Sequence, residues 1–203
     1  MRNISARGGA QGGNGGQVET SGKGSLTMSG TKVDALAPHG KAGLWLLDPT
    51  NFTIAGGIGS LVPDTIFESE IESAGADVTI SAPDTIVATG TFGANDVVVP
   101  SGLNLTIQTT AVGGGTGIDL TGSSGGSTLD FKISGGGNVS MSTGNTAQTL
   151  KPSKVTVTGA GSITLNSLGP VDIYNTTLQT AGGSISITGA GTTLADGVKV
   201  TDS

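Results

Sequence analysis

Short apolar patches recur every seven to nine residues through the C-terminal half of this chain, separated by Gly, Ser, Thr and Asn. The clearest run is Val155-Thr156-Val157, Ile163-Thr164-Leu165, Val171-Asp172-Ile173, Leu178, Ile185-Ser186-Ile187, Leu194 and Val198-Lys199-Val200. Each triplet alternates apolar and polar residues, so two side chains point to one face and one to the other. A three-residue strand cannot bury its face alone. It needs copies of itself stacked above and below, which is the signature of a solenoid. From Val155 the patches start 8, 8, 7, 7 and 9 residues apart, so three steps close a circuit of about 22 residues. Ile163 and Ile185, 22 apart, and Val171 and Leu194, 23 apart, are expected on the same side of adjacent rungs. The expected fold is all-β: a parallel β-helix with about three short strands per ~22-residue rung. Val, Ile and Leu would form interior columns, with Thr, Ser and Asn outside. Eight or so rungs would make a rod of roughly 40 Å at the ~4.8 Å strand spacing.

Composition supports this reading. Glycine supplies 37 of 203 residues and falls mostly between patches, where corners must turn tightly. A disordered linker would lack β-branched residues at regular spacing, and this chain keeps them from Val18 to Val200. A mean hydropathy of +0.12 with 12% charged residues leaves apolar surface to bury. There is no cysteine, which excludes disulfides and thiolate metal sites. A net charge of −6 argues against nucleic acid or an anionic membrane as the main partner, despite Arg2, Arg7 and Lys23 near the start. No 18-residue apolar run is present, so no membrane insertion is expected. No apolar stretch of the kind a signal peptide needs follows Met1. The expectation is therefore a fragment of a longer exported polypeptide.

Along the chain, residues 1–17 form a glycine-rich lead-in, and 18–203 read as one β-helix segment. Val18, Leu26-Thr27-Met28 and Val33 already show the C-terminal rhythm. Residues 37–50 hold the densest apolar block and the one tryptophan. Residues 64–74 contain a short helical excursion near 65–73, with Asp64 as N-cap and Phe67 and Ile71 four apart. The stretch 143–154, including Lys151-Pro152, reads as a longer loop off one corner.

One combination is specific. Gly15-Gly16-Gln17-Val18-Glu19-Thr20-Ser21-Gly22, then Val33-Asp34, then Ala37-Pro38-His39-Gly40-Lys41-Ala42-Gly43-Leu44-Trp45-Leu46-Leu47-Asp48-Pro49 resembles the filamentous-haemagglutinin-like family. The likeness covers about residues 5–55, and a short helix leading into Ala76-Asp77-Val78-Thr79-Ile80 extends it. These are large bacterial surface exoproteins, commonly exported by two-partner secretion. The resemblance implies a right-handed parallel β-helix, an outer-membrane two-partner secretion transporter for the parent protein, and attachment to host cells or surfaces through an unidentified receptor. The family's N-terminal secretion domain is absent from this chain. A stalk of a contact-dependent toxin-delivery protein is a variant of the same reading.

The residues offer few candidates for chemistry. Trp45 is expected as a plug packed over a coil edge, with Asp48-Pro49 ending the run and setting a turn. A glycan-binding module would draw on Tyr174 beside Asn175 as the best exposed aromatic. His39, the sole histidine, sits in a Pro-His-Gly turn and reads as solvated. Glu68, Glu70 and Glu72 form the densest acidic group, with Glu70 opposite the outer pair on a solvated helix surface. The remaining acids are dispersed, so neither an enzyme nor a cofactor is expected. No calcium-binding Gly-Gly-x-Gly-x-Asp repeat occurs, and Gly113-Gly114-Gly115 leads into a strand rather than a phosphate-binding helix. Sequons stand at Asn3, Asn51, Asn104, Asn138 and Asn175, as chance supplies in a chain this rich in Ser and Thr. An ice-binding face would need Thr-x-Thr in register; Thr156-Val157-Thr158 is not repeated so.

Overall fold

The computed structural model describes residues 2–56, 62–89, 96–110, 115–121, 130–133, 137–173, 177–191, 193–194 and 199–202. Every named strand pairs in parallel. A central sheet of seven contains Gln17–Gly22, Leu44–Pro49, Asp77–Ala82, Leu105–Thr109, Val139–Thr143, Ile163–Ser167 and Ile185–Thr188 in sequence order. A second sheet stacks Thr65–Phe67, Asn51–Ala55, Thr85–Thr89, Gly117–Asp119 and Thr149–Lys151. A third runs through Asp96–Val99, Asp130–Ile133, Lys154–Val157, Thr177–Thr180 and Lys199–Asp202. Two smaller ladders pair Arg2–Ser5 with Thr31–Asp34, and Asp172–Ile173 with Thr193–Leu194. From Asp77 to Val157 the chain visits central, second and third sides in turn, and beyond it the Asp172–Ile173 ladder takes the second sheet's turn. Parallel neighbours need a crossover of a dozen or more residues, and the other two sides supply it. The architecture is nearly all β and compatible with a solenoid.

The circuits are less uniform than 22 residues. Gln17 lies beside Leu44 (27 on), Leu44 beside Asp77 (33), Val78 beside Leu105 (27) and Leu105 beside Val139 (34). Only then do they shorten, Val139 to Ile163 (24) and Ile163 to Ile185 (22). The strand register tolerates this because extra residues leave at corners. Seven central strands at ~4.8 Å span about 30 Å, shorter than the rod expected. Leu194 sits over Ile173 rather than Val171, and Val171 bridges Leu150 instead.

Alternation builds the interior. Val18, Trp45, Val78, Leu105, Val139, Ile163 and Ile185 form one column in register. Leu47, Ile80, Ile107, Met141, Leu165 and Ile187 form the next, and Phe52, Ile86, Ile118 and Leu150 line the second sheet. All are buried except Ile185 and Ile187 on the last strand, which are partly so. Burying each is worth about 1.5–3 kcal/mol. A third inward position turns polar. Thr109, Thr143 and Ser167 are buried there, and Thr109 donates to the fully buried Gln148 at 2.8 Å.

Glycine serves closeness as often as φ. Gly102 and Gly117 have φ of +78° and +87°, which an L side chain rarely adopts. Gly15 and Gly43 do not; a Cβ on either would run into the backbone of the segment stacked against it.

Three expectations need correction. The helix is only Glu68–Glu72, because Thr65–Phe67 is a strand inserted between Asn51–Ala55 and Thr27. Asp64 is not its N-cap: its Oδ1 accepts from Leu26 N at 2.7 Å, and its backbone has φ of 51°. Residues 143–154 are not one loop. They hold Thr149–Lys151, stacked on Gly117–Asp119, and the start of Lys154–Val157. Lys151-Pro152 is the corner between them.

Candidate functional site

Trp45 lies within the strand Leu44–Pro49 and is fully buried. It stands between Val18 and Val78, so it belongs to a column flanked on both sides rather than capping a coil edge. Its Nε1 donates to Thr20 Oγ1 at 3.1 Å, satisfying the indole's one polar atom. As expected, Asp48 and Pro49 end the strand. They pair with Ser21 and Gly22, and the bend falls at Thr50. Proline is accommodated because the ladder to the following strand already stops at Leu47 and Ile80, so no N–H is required of it. Asp48 is exposed and Pro49 buried. Tyr174 and Asn175 lie outside the described residues.

The acidic helix is not a solvated surface. Glu70 is buried, its Oε1 accepting from Gly30 N at 2.8 Å and its Oε2 from Phe67 N at 2.9 Å. Burial pushes its carboxyl above the usual glutamate range, against the lowering effect of those two bonds. Glu68 is also buried, and Glu72 accepts from Val98 N at 3.1 Å on the third sheet. The Glu70 and Glu72 carboxylates answer backbone donors around the helix. His39 is exposed in a turn. Among the described residues, no three of His, Asp and Glu come together to hold a metal ion.

Among the described residues, two clefts of similar size open on the outer surface. One, of about 490 Å³, is lined by Glu19, Ser21, Lys23, Asp48, Thr50 and Pro83 at the corner between central and second sides. Its charges are unbalanced, two acids against one lysine. The other, also about 490 Å³, opens on the second sheet. Register builds it. Thr53, Val87, Asp119 and Lys151 form one outward column, so Asp119 and Lys151 are direct neighbours across the ladder. Lys151 Nζ lies 3.3 Å from Asp119 Oδ2, with the lysine side chain 39% and the aspartate 21% exposed. In the adjacent column Gly117 sets no side chain between Thr85 and Thr149. Gly115, Thr116, Ala147 and Thr149 complete the walls. Burial raises the Asp119 carboxyl, but hydrogen bonds from the Thr121 hydroxyl and N–H, with the Lys151 charge, hold it below the usual range. An anion and a cation held together beside hydroxyls and small apolar side chains can bind polar ligands by hydrogen bonds.

A polar ladder was missed by the sequence reading. Asn104 N and Nδ2 donate to the Asp77 carboxylate at 2.9 and 3.0 Å, and Asn138 N and Nδ2 both donate to Asn104 Oδ1 at 2.9 Å. Ser162 N donates to Asn138 Oδ1 at 2.9 Å, and Ser184 N to Ser162 Oγ at 3.1 Å. Its signal was legible: a polar residue immediately precedes the first inward apolar residue of five successive central strands. The ladder engages two of the five sequons. Beside it, Thr79, Thr106, Ser140, Thr164 and Ser186 stack in register as an outward column. Thr156, by contrast, stacks on Lys132 and Gln179. Compared with known proteins, the chain matches no family model, no curated protein and no solved structure.

Proposed function

We propose that this chain is a right-handed parallel β-helical segment of a large secreted bacterial adhesin, displayed at the cell surface for attachment. The single observation that carries the reading is parallel register held through seven central strands, from Gln17 to Thr188. A stack in which each strand bonds to two neighbours is stiff along its axis, as a support for display must be. Right-handed winding follows from the twist of L-peptide strands, which closes nearly all parallel crossovers that way. The tryptophan block supports the family reading through its likeness to filamentous-haemagglutinin-like proteins. The role is structural and adhesive rather than enzymatic. On this reading the parent leaves through an outer-membrane two-partner secretion transporter, and attachment uses a host or surface receptor.

The test is an in-frame deletion of this segment from the parent gene in its own bacterium. Secretion should persist while attachment to host cells or surfaces falls. Attachment unchanged in the deletion strain would overturn the adhesive role, and a crystal structure with left-handed circuits would overturn the fold.

A further inference from the structure

The second-sheet cleft brings charged groups, hydroxyls and small apolar side chains together in one place. Its column places a carboxylate and an ammonium side by side, so the site carries both signs and no net charge. Each retains capacity. Lys151 Nζ makes one contact, to Asp119, which leaves two N–H donors with no partner among the described residues. Asp119 Oδ2 meets only that lysine, and the Thr149 hydroxyl makes no side-chain hydrogen bond to any described residue. The Thr116 hydroxyl is held 3.2 Å from that of Thr85, fixing one wall. Val87 and Ala147 supply small apolar surfaces against which C–H groups can lie. A volume of about 490 Å³ falls within the range of small-molecule sites, about 300–1,000 Å³.

We propose that this cleft binds a neutral saccharide unit, with Asp119 accepting from sugar hydroxyls and Lys151 and Thr149 donating to ring or hydroxyl oxygens. Paired opposite charges satisfy a polyol, which both donates and accepts at every hydroxyl. They disfavour an anionic sugar, which would meet Asp119, and a cationic one, which would meet Lys151. The corner cleft at Glu19 and Asp48 lacks this balance. The inference rests on the adhesive reading for its setting and names the ligand class and the surface. Its test uses the purified chain and is independent of secretion or attachment.

The experiment is titration of the full chain with neutral glycosides and oligosaccharides of glucose, galactose, mannose and N-acetylglucosamine, followed by ligand-observed NMR and calorimetry. At least one should bind saturably with a Kd near 1 mM or tighter. Asp119→Asn should weaken it tenfold or more, and Thr149→Lys, which fills the cleft from an outward position, should abolish it. Asp48→Ala, in the other cleft, should leave it unchanged. Circular dichroism establishes that each variant is folded. Should Asp119→Asn not fold, Thr149→Lys alone decides. Binding by none of these sugars, equal binding by Thr149→Lys, or preference for a sialic or uronic acid would each overturn the proposal. If sugar binding fails while the deletion strain loses attachment, the ligand assignment falls and the adhesive reading stands.

Discussion

Between Val139 and Ile185 the chain completes two circuits in 24 and 22 residues, whereas one circuit from Leu44 to Asp77 takes 33. The short circuits add the same few things each time: an inward apolar pair, and a polar residue for the Asn138–Ser162–Ser184 ladder. The long one carries an inserted strand, a five-residue helix, a buried carboxylate and the buried indole. Repetition therefore spreads stability over many small equal contributions. Irregularity concentrates it in single residues whose loss nothing nearby replaces. Substitutions should cost more, and more locally, in the N-terminal region.

The largest separation is expected from Trp45→Ala against Ile163→Val. Both residues are fully buried in the same column. The first removes a bicyclic side chain and its bond to Thr20, and should cost about 3–5 kcal/mol; the second removes one methyl group, about 0.5–1.5 kcal/mol. Urea unfolding followed by far-ultraviolet circular dichroism measures both. A Trp45→Ala cost near that of Ile163→Val would erase the contrast.

Glu70→Ala comes next. It leaves the N–H groups of Gly30 and Phe67 without an acceptor, each worth about 1–3 kcal/mol when buried. Glu70→Gln retains one acceptor oxygen and should recover part of the loss. The pH dependence sharpens this. Because burial raises this carboxyl in the folded state, the native chain binds the proton more tightly than the unfolded chain. The associated stability is full below the unfolded glutamate pKa and is lost as pH rises through the higher folded value. Wild type should thus lose stability over that interval relative to Glu70→Gln. Parallel curves for the two would mean that the carboxyl is not strained by burial.

Asn138→Ala should cost less, about 0.5–1.5 kcal/mol, because its partners are solvent-accessible and can turn to water. Hydrogen exchange at Ser162 N–H, which the Asn138 carbonyl accepts, should quicken while the Ile80 amide in the same sheet stays protected. Equal acceleration at both would show that the ladder holds the whole stack and not one corner.

The parallel stack, its three sides and its interior columns were legible because alternation and patch spacing directly encode which faces are buried. Ile163 over Ile185 follows from counting alone. The circuit lengths before Val139 were not, since extra residues leave at corners without disturbing the pattern of either strand. Thr65-Ile66-Phe67 was read as helix because Phe67 and Ile71 match a helical period; pairing with Asn51–Ala55 overrode it. Glu70 looked solvated because spacing reveals which helix face a residue occupies but not what packs there. The Asp119–Lys151 cleft was invisible for a simpler reason. Its charges are 32 residues apart in sequence and meet only once circuit length is known.

The smallest expected effect lies at the N-terminal edge, where Arg7 grips Asp34 with contacts of 2.8 and 2.6 Å. The pair ties the segment after Arg2–Ser5 to the strand Thr31–Asp34. Both side chains remain well exposed, at 44% and 34%, so water competes for them in the folded state. The Arg7 hydrogen bond is the main reason the Asp34 carboxyl sits below its ordinary value. The stability it lends is therefore present above the unfolded carboxylate pKa and lost as pH falls through the lowered one. A double-mutant cycle of Arg7→Ala and Asp34→Ala should give a coupling of about 0.2–1 kcal/mol in low salt, shrinking in high salt. A larger, salt-resistant coupling would mean that this edge, like Trp45 and Glu70, depends on one irreplaceable contact, extending the irregular regime to the first strand.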